Sequence, residues 1–397
     1  MKVGVVVDNY TPEDGGAYTF QAEVVRVLTR LASDCQHDFV FLSRDPDAIR
    51  NDINGDLEAV RLPKAGLLDK LRSRLGRDYP SLRRTRRWLS PLDKAANKAE
   101  LDFLWFLGPR SQETDTPFLT IVLDLQHRLQ PWFPEVSAHG EWASREGPLS
   151  KHLRRAAGII AGTQAGKAEI ERFYQVPGER VHILPHPTPA YVLEESESGG
   201  QEVLDKYGLQ PGYLFYPAQF WAHKNHANLL QALKLLRDEH DLKLDLVLSG
   251  ADYGNLAYVE QLVGELRLEE QVHFLGFVPQ ADLPALYKNA FALTYLTLFG
   301  PENLPPLEAF ALGCPVVASN VSGAEEQLGD AAMLVEPTNP AQIANVIRLL
   351  HDDHEMRQTL VARGLRRASK WTVDDFVRSV FAILDDFAPL RRTWGSS

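Results

Sequence analysis

Leu298 to Ser319 reads LFGPENLPPLEAFALGCPVVAS, and the order of residue types within it decides how the rest of the chain is read. It is entered from an apolar run, Phe291 to Leu298, whose length and β-branched and aromatic content predict a buried strand. After the turn FGPEN, Pro305 and Pro306 stand where only the first turn of a helix tolerates proline, because no intrahelical partner waits there for an N–H. Gly313 closes the helix, and Pro315 opens the next strand, VVAS. A turn of backbone amides at the positive end of a helix dipole, on the carboxyl edge of a strand, suits an anionic group, above all phosphate. Asn303, Leu304 and Pro305 form that turn. Glu308, one turn further in and flanked by Leu307 and Ala309, is a carboxylate in apolar company that needs hydrogen-bond donors. A ribose diol would supply two. The alternative is a favourable charge near the helix N-terminus, typically ~0.3–1 kcal/mol.

The run NLPPLEAFALGCPVVAS resembles the carboxyl-terminal signature of family 4 glycosyltransferases, which are retaining, use nucleotide sugars and have the GT-B fold. The resemblance implies an α/β chain of two facing Rossmann-like domains with a deep cleft between them. It also implies two glutamates eight positions apart, the second holding the donor ribose and the first lying near the transferred sugar. Glu308 matches the second. Gly300 stands where the first belongs, with Glu302 two positions later as the candidate substitute.

The chain has 397 residues, enough for two domains of ordinary size, and 44% hydrophobic with 24% charged residues is the composition of a globular protein. A net charge of −11 argues against general nucleic-acid binding. Cys35 and Cys314, far apart and in apolar contexts, imply no disulfide framework and suit a reducing cytoplasm. The start, MKVGVVVDNYTPEDGG, turns acidic and Gly-rich at once, which reads as a first strand and loop rather than a signal peptide. No stretch approaches the ~20 apolar residues that would span a bilayer.

Val3 to Val7 reads as a strand buried on both faces, followed by a loop with Gly15 and Gly16 and then a helical pattern of apolar residues from Phe20 to Leu31. Paired glycines between strand and helix let backbone approach a ligand; a plain turn is the alternative. The loop also resembles the family's amino-terminal glycine loop, which faces donor phosphates and acceptor. Strands are expected at 39–43, 101–108, 118–125, 158–163 and 181–187, with helices between them, and such alternation predicts a parallel doubly wound sheet. Asp124 and His127 stand at a strand's carboxyl end, as acceptor-side groups or as a buried turn network. From Lys64 to Lys98 eleven basic residues face three acidic ones, interleaved with leucines and Trp88. That segment fits a peripheral contact with an anionic membrane, a solvated helical face or a hold on an anionic acceptor.

Residues 191–204 are acidic, rich in Ser and Gly and without apolar periodicity, so they read as a linker. The division expected is an acceptor-side domain, 1–190, the linker, and a donor domain, 205–370. A final helix, 371–390, crosses back to the first domain, as the resemblance implies. In PAQFWAHKNHANLL, Lys224 and Asn225 precede a helix and would face the phosphate turn, where a lysine offsets the leaving group's growing charge. The segment resembles the family's diphosphate loop, whose second cation is replaced here by Gln219, with His223 nearby as a further donor. The resemblance further implies that Phe277 and Val278 read the nucleobase and that Gly323 and Glu326 lie beside the donor sugar.

The reading is a hexosyl transfer from a nucleoside diphosphate sugar to a hydroxyl of a saccharide or lipid-linked saccharide, with retention and no metal cofactor. Asp45-Pro-Asp47, the one tempting DxD, reads as a turn. Two rivals are a nucleotide-sugar-binding partner without turnover, suggested by Gly300 and Gln219, and a GT-B sugar-nucleotide epimerase.

Overall fold

In the computed structural model, which describes residues 1–49, 57–63, 89–194 and 200–394, the chain builds two wholly parallel sheets with helices between the strands. The first contains β1 (Lys2–Val6), β2 (Asp38–Ser43), β3 (Glu58–Arg61), β4 (Phe103–Phe106), β5 (Phe118–Val122), β6 (Gly158–Ala161) and β7 (Val181–Ile183), in the order β3-β2-β1-β4-β5-β6-β7. The second contains β8 (Tyr213–Pro217), β9 (Leu246–Ser249), β10 (Val272–Phe274), β11 (Ala290–Tyr295), β12 (Val316–Ser319) and β13 (Ala332–Val335), in the order β10-β9-β8-β11-β12-β13. Each begins in the middle, winds outward to one edge, then crosses back to wind the other way. The first strand and the crossover strand of each sheet therefore lie side by side, β1 with β4 and β8 with β11. Loops after these strands diverge to opposite faces and leave a crevice at the carboxyl end, the usual ligand position in such sheets.

The central strands are apolar on both faces because helices cover both. Val5 of β1 stands opposite Phe41 and Trp105, and Phe215 of β8 opposite Val247 and Leu293, all fully buried. β3 was not legible as a strand: EAVR is a short edge element with exposed ends, so it lacks an apolar run. Asp47, read as part of a turn, lies in the short helix Pro46–Ile49 and pairs with Arg61 at 3.0 Å.

The final helix, Val373–Arg392, packs on the first sheet's domain, against Gly16–Leu31. Its rings meet that domain's rings in three places, Phe376 with Phe20 at 5.3 Å, Phe381 with Phe39 at 5.5 Å and Phe387 with Phe103 at 4.9 Å. Its start is fixed by a capping box between Thr372 and Asp375.

The segment read as a linker is helical at both ends: Ala190–Leu193 is a helical turn that puts Val192 in the second domain's core, and Gly200–Tyr207 is a helix with Leu204 buried there. Residues 195–199 lie outside the described residues. Of the basic segment, 64–88 lies outside them too, while Pro91–Lys98 is a helix whose Leu92, Ala95 and Ala96 face the domain core and so offer nothing apolar to a membrane. Among the described residues no helix is long and apolar enough to cross a membrane.

Candidate active site

Between the two sheets' carboxyl ends lies a cavity of about 600 Å³. One wall comes from the first domain, with Gly15, Gly16, Phe20, Leu123 and His186, and the other from the second, with Gln219, Lys224, Phe277, Val278, Glu302, Asn303, Leu304 and Pro305. A second cavity of about 290 Å³ opens beside it, lined by Asp124, Glu135, Arg145, His223 and Gly300 among others. The two share Leu123, His186, Lys224, Glu302 and Asn303.

Two helices begin at the first cavity and face one another. Gly15, with φ of 65°, turns the chain from β1 into Gly16–Leu31, a backbone state that L side chains rarely adopt. A Cβ on Gly16 would come 3.3 Å from Leu304 Cδ1, at the start of Leu304–Ala311. That second helix end is poorer in donors than its sequence suggests. The Asn303 N–H is taken by Gln327 Oε1 at 3.0 Å, and Pro305 and Pro306 have no N–H, so the amide left to the turn is that of Leu304. Lys224 ends the short helical turn Ala222–Lys224 after β8. Its Nζ donates to Tyr295 Oη at 2.9 Å and sits 5.1 Å over the Tyr295 ring, which aims the ammonium at both cavities. Gln219 lines the first cavity and accepts from Trp221 Nε1 at 2.9 Å.

Glu302 is the most unusual carboxyl of the site. It is carried by the second domain, yet its Oε1 accepts from the His186 N–H of the first at 2.8 Å. Burial pushes its pKa from 4.5 up to about 8, against the pull of that hydrogen bond, and the Glu326 charge adds to the rise. Glu308 stands behind the cavity wall. It is buried, Tyr287 Oη donates to its Oε2 at 2.6 Å, and burial raises its pKa while the Tyr287 and Tyr191 hydroxyls oppose the rise.

Several residues expected at the site serve elsewhere. Asn225 is buried, with φ of 60°, and its side-chain amide donates to Leu296 O at 2.9 Å and Pro337 O at 2.7 Å, tying loops together rather than meeting a donor. His127 is fully buried against Glu146, 3.1 Å from Nε2, and Tyr174, so it belongs to the first domain's interior; burial lowers its pKa, and Glu146 opposes this. Gly323 lines neither cavity. Its φ is 85°, and a Cβ there would come 2.5 Å from Pro301 O, so glycine lets this turn sit against the loop 300–303. Glu326 leaves its own domain, accepting from Gln164 N at 2.6 Å and Ala165 N at 3.0 Å at the start of Gln164–Tyr174. Asp124 does face the second cavity, where it pairs with Arg145 at 3.1 Å and caps Gln126 N at 2.9 Å.

Sequence patterns gave no warning of His186, or of the Glu135–His223 pair joining the domains at the second cavity. Burial raises Glu135, but its hydrogen bonds from His223 and backbone outweigh that and hold it below the usual value, so it stays ionised. Among the described residues no cluster of His, Cys, Asp or Glu could hold a metal ion.

Comparison with known proteins agrees with this arrangement. Residues 205–367 match the family model for glycosyl transferases group 1. O-antigen chain mannosyltransferase B of Escherichia coli is 33% identical over 241 residues, 60% of this chain and 63% of that protein. The MMP alpha-(1->4)-mannosyltransferase of Mycolicibacterium hassiacum is 34% identical over 219 residues, 54% of this chain and 50% of that protein. The chain thus spans less than two thirds of the length of either relative. Over nearly its whole length it overlays on the crystal structure of Anabaena Alr3699/HepE in complex with UDP and glucose, with a TM-score of 0.71 at 17% identity, covering 97% of this chain and 99% of that one. The chain has the GT-B arrangement of two Rossmann-like domains, and its second domain matches the glycosyl transferases group 1.

Proposed function

We propose that the protein transfers a hexosyl group from a nucleoside diphosphate sugar to a hydroxyl of a saccharide or lipid-linked saccharide, retaining the anomeric configuration and needing no metal. The observation that carries this is the meeting of Lys224, the start of Leu304–Ala311 and the Gly15–Gly16 turn around one interdomain cavity. The bond from the anomeric carbon to the phosphate oxygen breaks, and a bond to the acceptor oxygen forms on the same face. The acceptor proton passes to the departing phosphate oxygen, so no protein nucleophile is needed. Lys224 and the Leu304 amide offset the charge that gathers on the diphosphate. Phe277 and Val278 flank the base, and Glu308 takes the ribose in exchange for the Tyr287 hydroxyl. The second cavity, with Asp124 and Arg145 on its wall, receives the acceptor. The two curated relatives are named as mannosyltransferases, one of an O-antigen chain, so a mannosyl donor is the first to test.

Purified protein is incubated with nucleoside diphosphate mannose or glucose and a saccharide acceptor in excess EDTA, and the product's anomeric configuration is read by NMR. A retained product is expected. Inversion, or activity lost to EDTA, would overturn those parts of the proposal. Donor titration of Glu308→Gln is expected to show weaker binding by about tenfold, the loss of one hydrogen bond to a charged group. A second reading, binding without turnover, draws on Gln219 standing where the resemblance implies a cation. Donor binding with neither transfer nor donor hydrolysis would favour it.

A further inference from the structure

We propose that Glu302 is a positioning residue: carried by the second domain, it is keyed into a notch at Gly162 of the first and holds the two cavities in register where they meet. For what it positions, this rests on the transfer reading above; the key itself is a statement about two domains. Gly162 follows β6, and a Cβ placed on it would coincide with the Glu302 carboxylate. Its backbone is not in the left-handed region, so what demands glycine there is the incoming carboxyl rather than the local turn. The second side of the notch is the His186 N–H, which donates to Glu302 Oε1 at 2.8 Å. His186 stands between Pro185 and Pro187, so it supplies the one amide of that run.

Three strand ends therefore meet at one side chain, those of β6 and β7 in the first sheet and β11 in the second. Other ties between the domains exist, as Glu326 on Gln164 and Ala165 and as Gln130 Nε2 on Leu298 O at 3.0 Å. Glu302 differs in lining both cavities, beside His186 and Lys224. The charged groups around it leave its carboxyl without a strong cationic partner. Burial pushes the His186 ring down to about 4 and keeps it neutral, Lys224 is committed to Tyr295, Asp124 to Arg145, Glu135 to His223, and Glu326 repels. A neutral carboxyl in a fitted notch acts through shape and one accepted hydrogen bond, not through an ion pair.

The test compares Gly162→Ala, Glu302→Ala, their combination and Glu302→Gln in the full chain. Two readouts are taken: kcat/KM for transfer, and hydrogen exchange of the His186 amide without any substrate. Because the three atoms nearest the added methyl all belong to the Glu302 carboxyl, Gly162→Ala should lower kcat/KM by roughly tenfold alone but by under about twofold beside Glu302→Ala. Exchange at His186 should quicken by roughly tenfold in either single variant, and Glu302→Gln, which keeps shape and acceptor, should stay within about threefold of the parent on both readouts. Equal effects of Gly162→Ala in both backgrounds would overturn the key, and so would Glu302→Gln failing as badly as Glu302→Ala. If no donor is turned over at all, the exchange result still decides the key on its own, so loss of the transfer reading and loss of the key are told apart.

Discussion

At the scale of single residues, the site works by where two charges are allowed. Among the described residues that line the first cavity, Lys224 is the only Lys or Arg, and Tyr295 holds its ammonium in place. Removing a preorganised donor of this kind costs about 10²–10³-fold in kcat, so Lys224→Ala should lose transfer by that factor with an unchanged thermal midpoint; a loss under about tenfold would move the diphosphate elsewhere. Glu302 is the opposite case, a carboxyl kept neutral. Its pKa rises from 4.5 unfolded to about 8 folded, so between those values the folded state binds more protons than the unfolded one. The resulting stabilisation is complete below about 4.5 and lost as pH climbs to about 8. Glu302→Gln cannot lose that proton. Its melting temperature relative to the parent should therefore rise as pH goes from about 5 to about 8, and a constant difference would mean that Glu302 titrates as an ordinary carboxylate. The 303–305 turn was readable from Pro305 and Pro306, which mark a helix start, whereas Lys224 was picked out by its place before a helix and by the family resemblance. His127 and Glu326 were not legible, since what fixes each is a partner from a distant segment, Glu146 in one case and the amides of Gln164 and Ala165 in the other.

At the scale of elements, the helix Gln164–Tyr174 shows how the domains share structure. Its first three amides are all satisfied, Gly166 by the Thr163 hydroxyl of its own N-cap at 3.0 Å and Gln164 and Ala165 by Glu326 from the other domain. A carboxylate at a helix N-terminus is stabilising through hydrogen bonds and dipole together, and losing such a cap typically costs ~0.5–2 kcal/mol. Glu326→Ala should therefore lower stability by about 1 kcal/mol, and exchange at the Gln164 and Ala165 amides should quicken while that at Gly166 does not. Equal protection at all three amides would place Glu326 away from the cap. The strands were the most legible elements, since buried parallel strands are continuous apolar runs, as in β4. The short edge strand β3 and the helical ends of the 191–204 segment were missed for one reason. Each is held by contacts with a neighbouring element rather than by its own pattern: β3 by pairing with β2, and the segment's ends by Val192 and Leu204 entering the second domain's core.

At the scale of the whole molecule, the chain's final helix decides whether the first domain exists. Val373, Phe376, Val377, Val380, Phe381 and Leu384 of Val373–Arg392 are all buried in the core that β1, β2 and β4 build with Gly16–Leu31. Each such side chain contributes on the order of 1.5–3 kcal/mol when fully buried, an upper figure because unfolded chains already bury part of their surface. Six of them rival the ~5–15 kcal/mol that separates a typical domain from its unfolded state. The second domain takes no comparable share of this helix, since its core is closed by its own helices and by Val192 and Leu204. A fragment ending at residue 370 should therefore keep a protease-resistant second domain while the first is digested, and the exposed aromatic faces of Phe20, Phe39 and Phe103 should make it aggregate. Adding residues 371–394 as a separate peptide should restore protection of the first domain, because the helix is covalently continuous with the second domain but packs on the first. Digestion of both domains together at 370 would show instead that the two fold as one unit, with the shared cavity inside a single cooperative core.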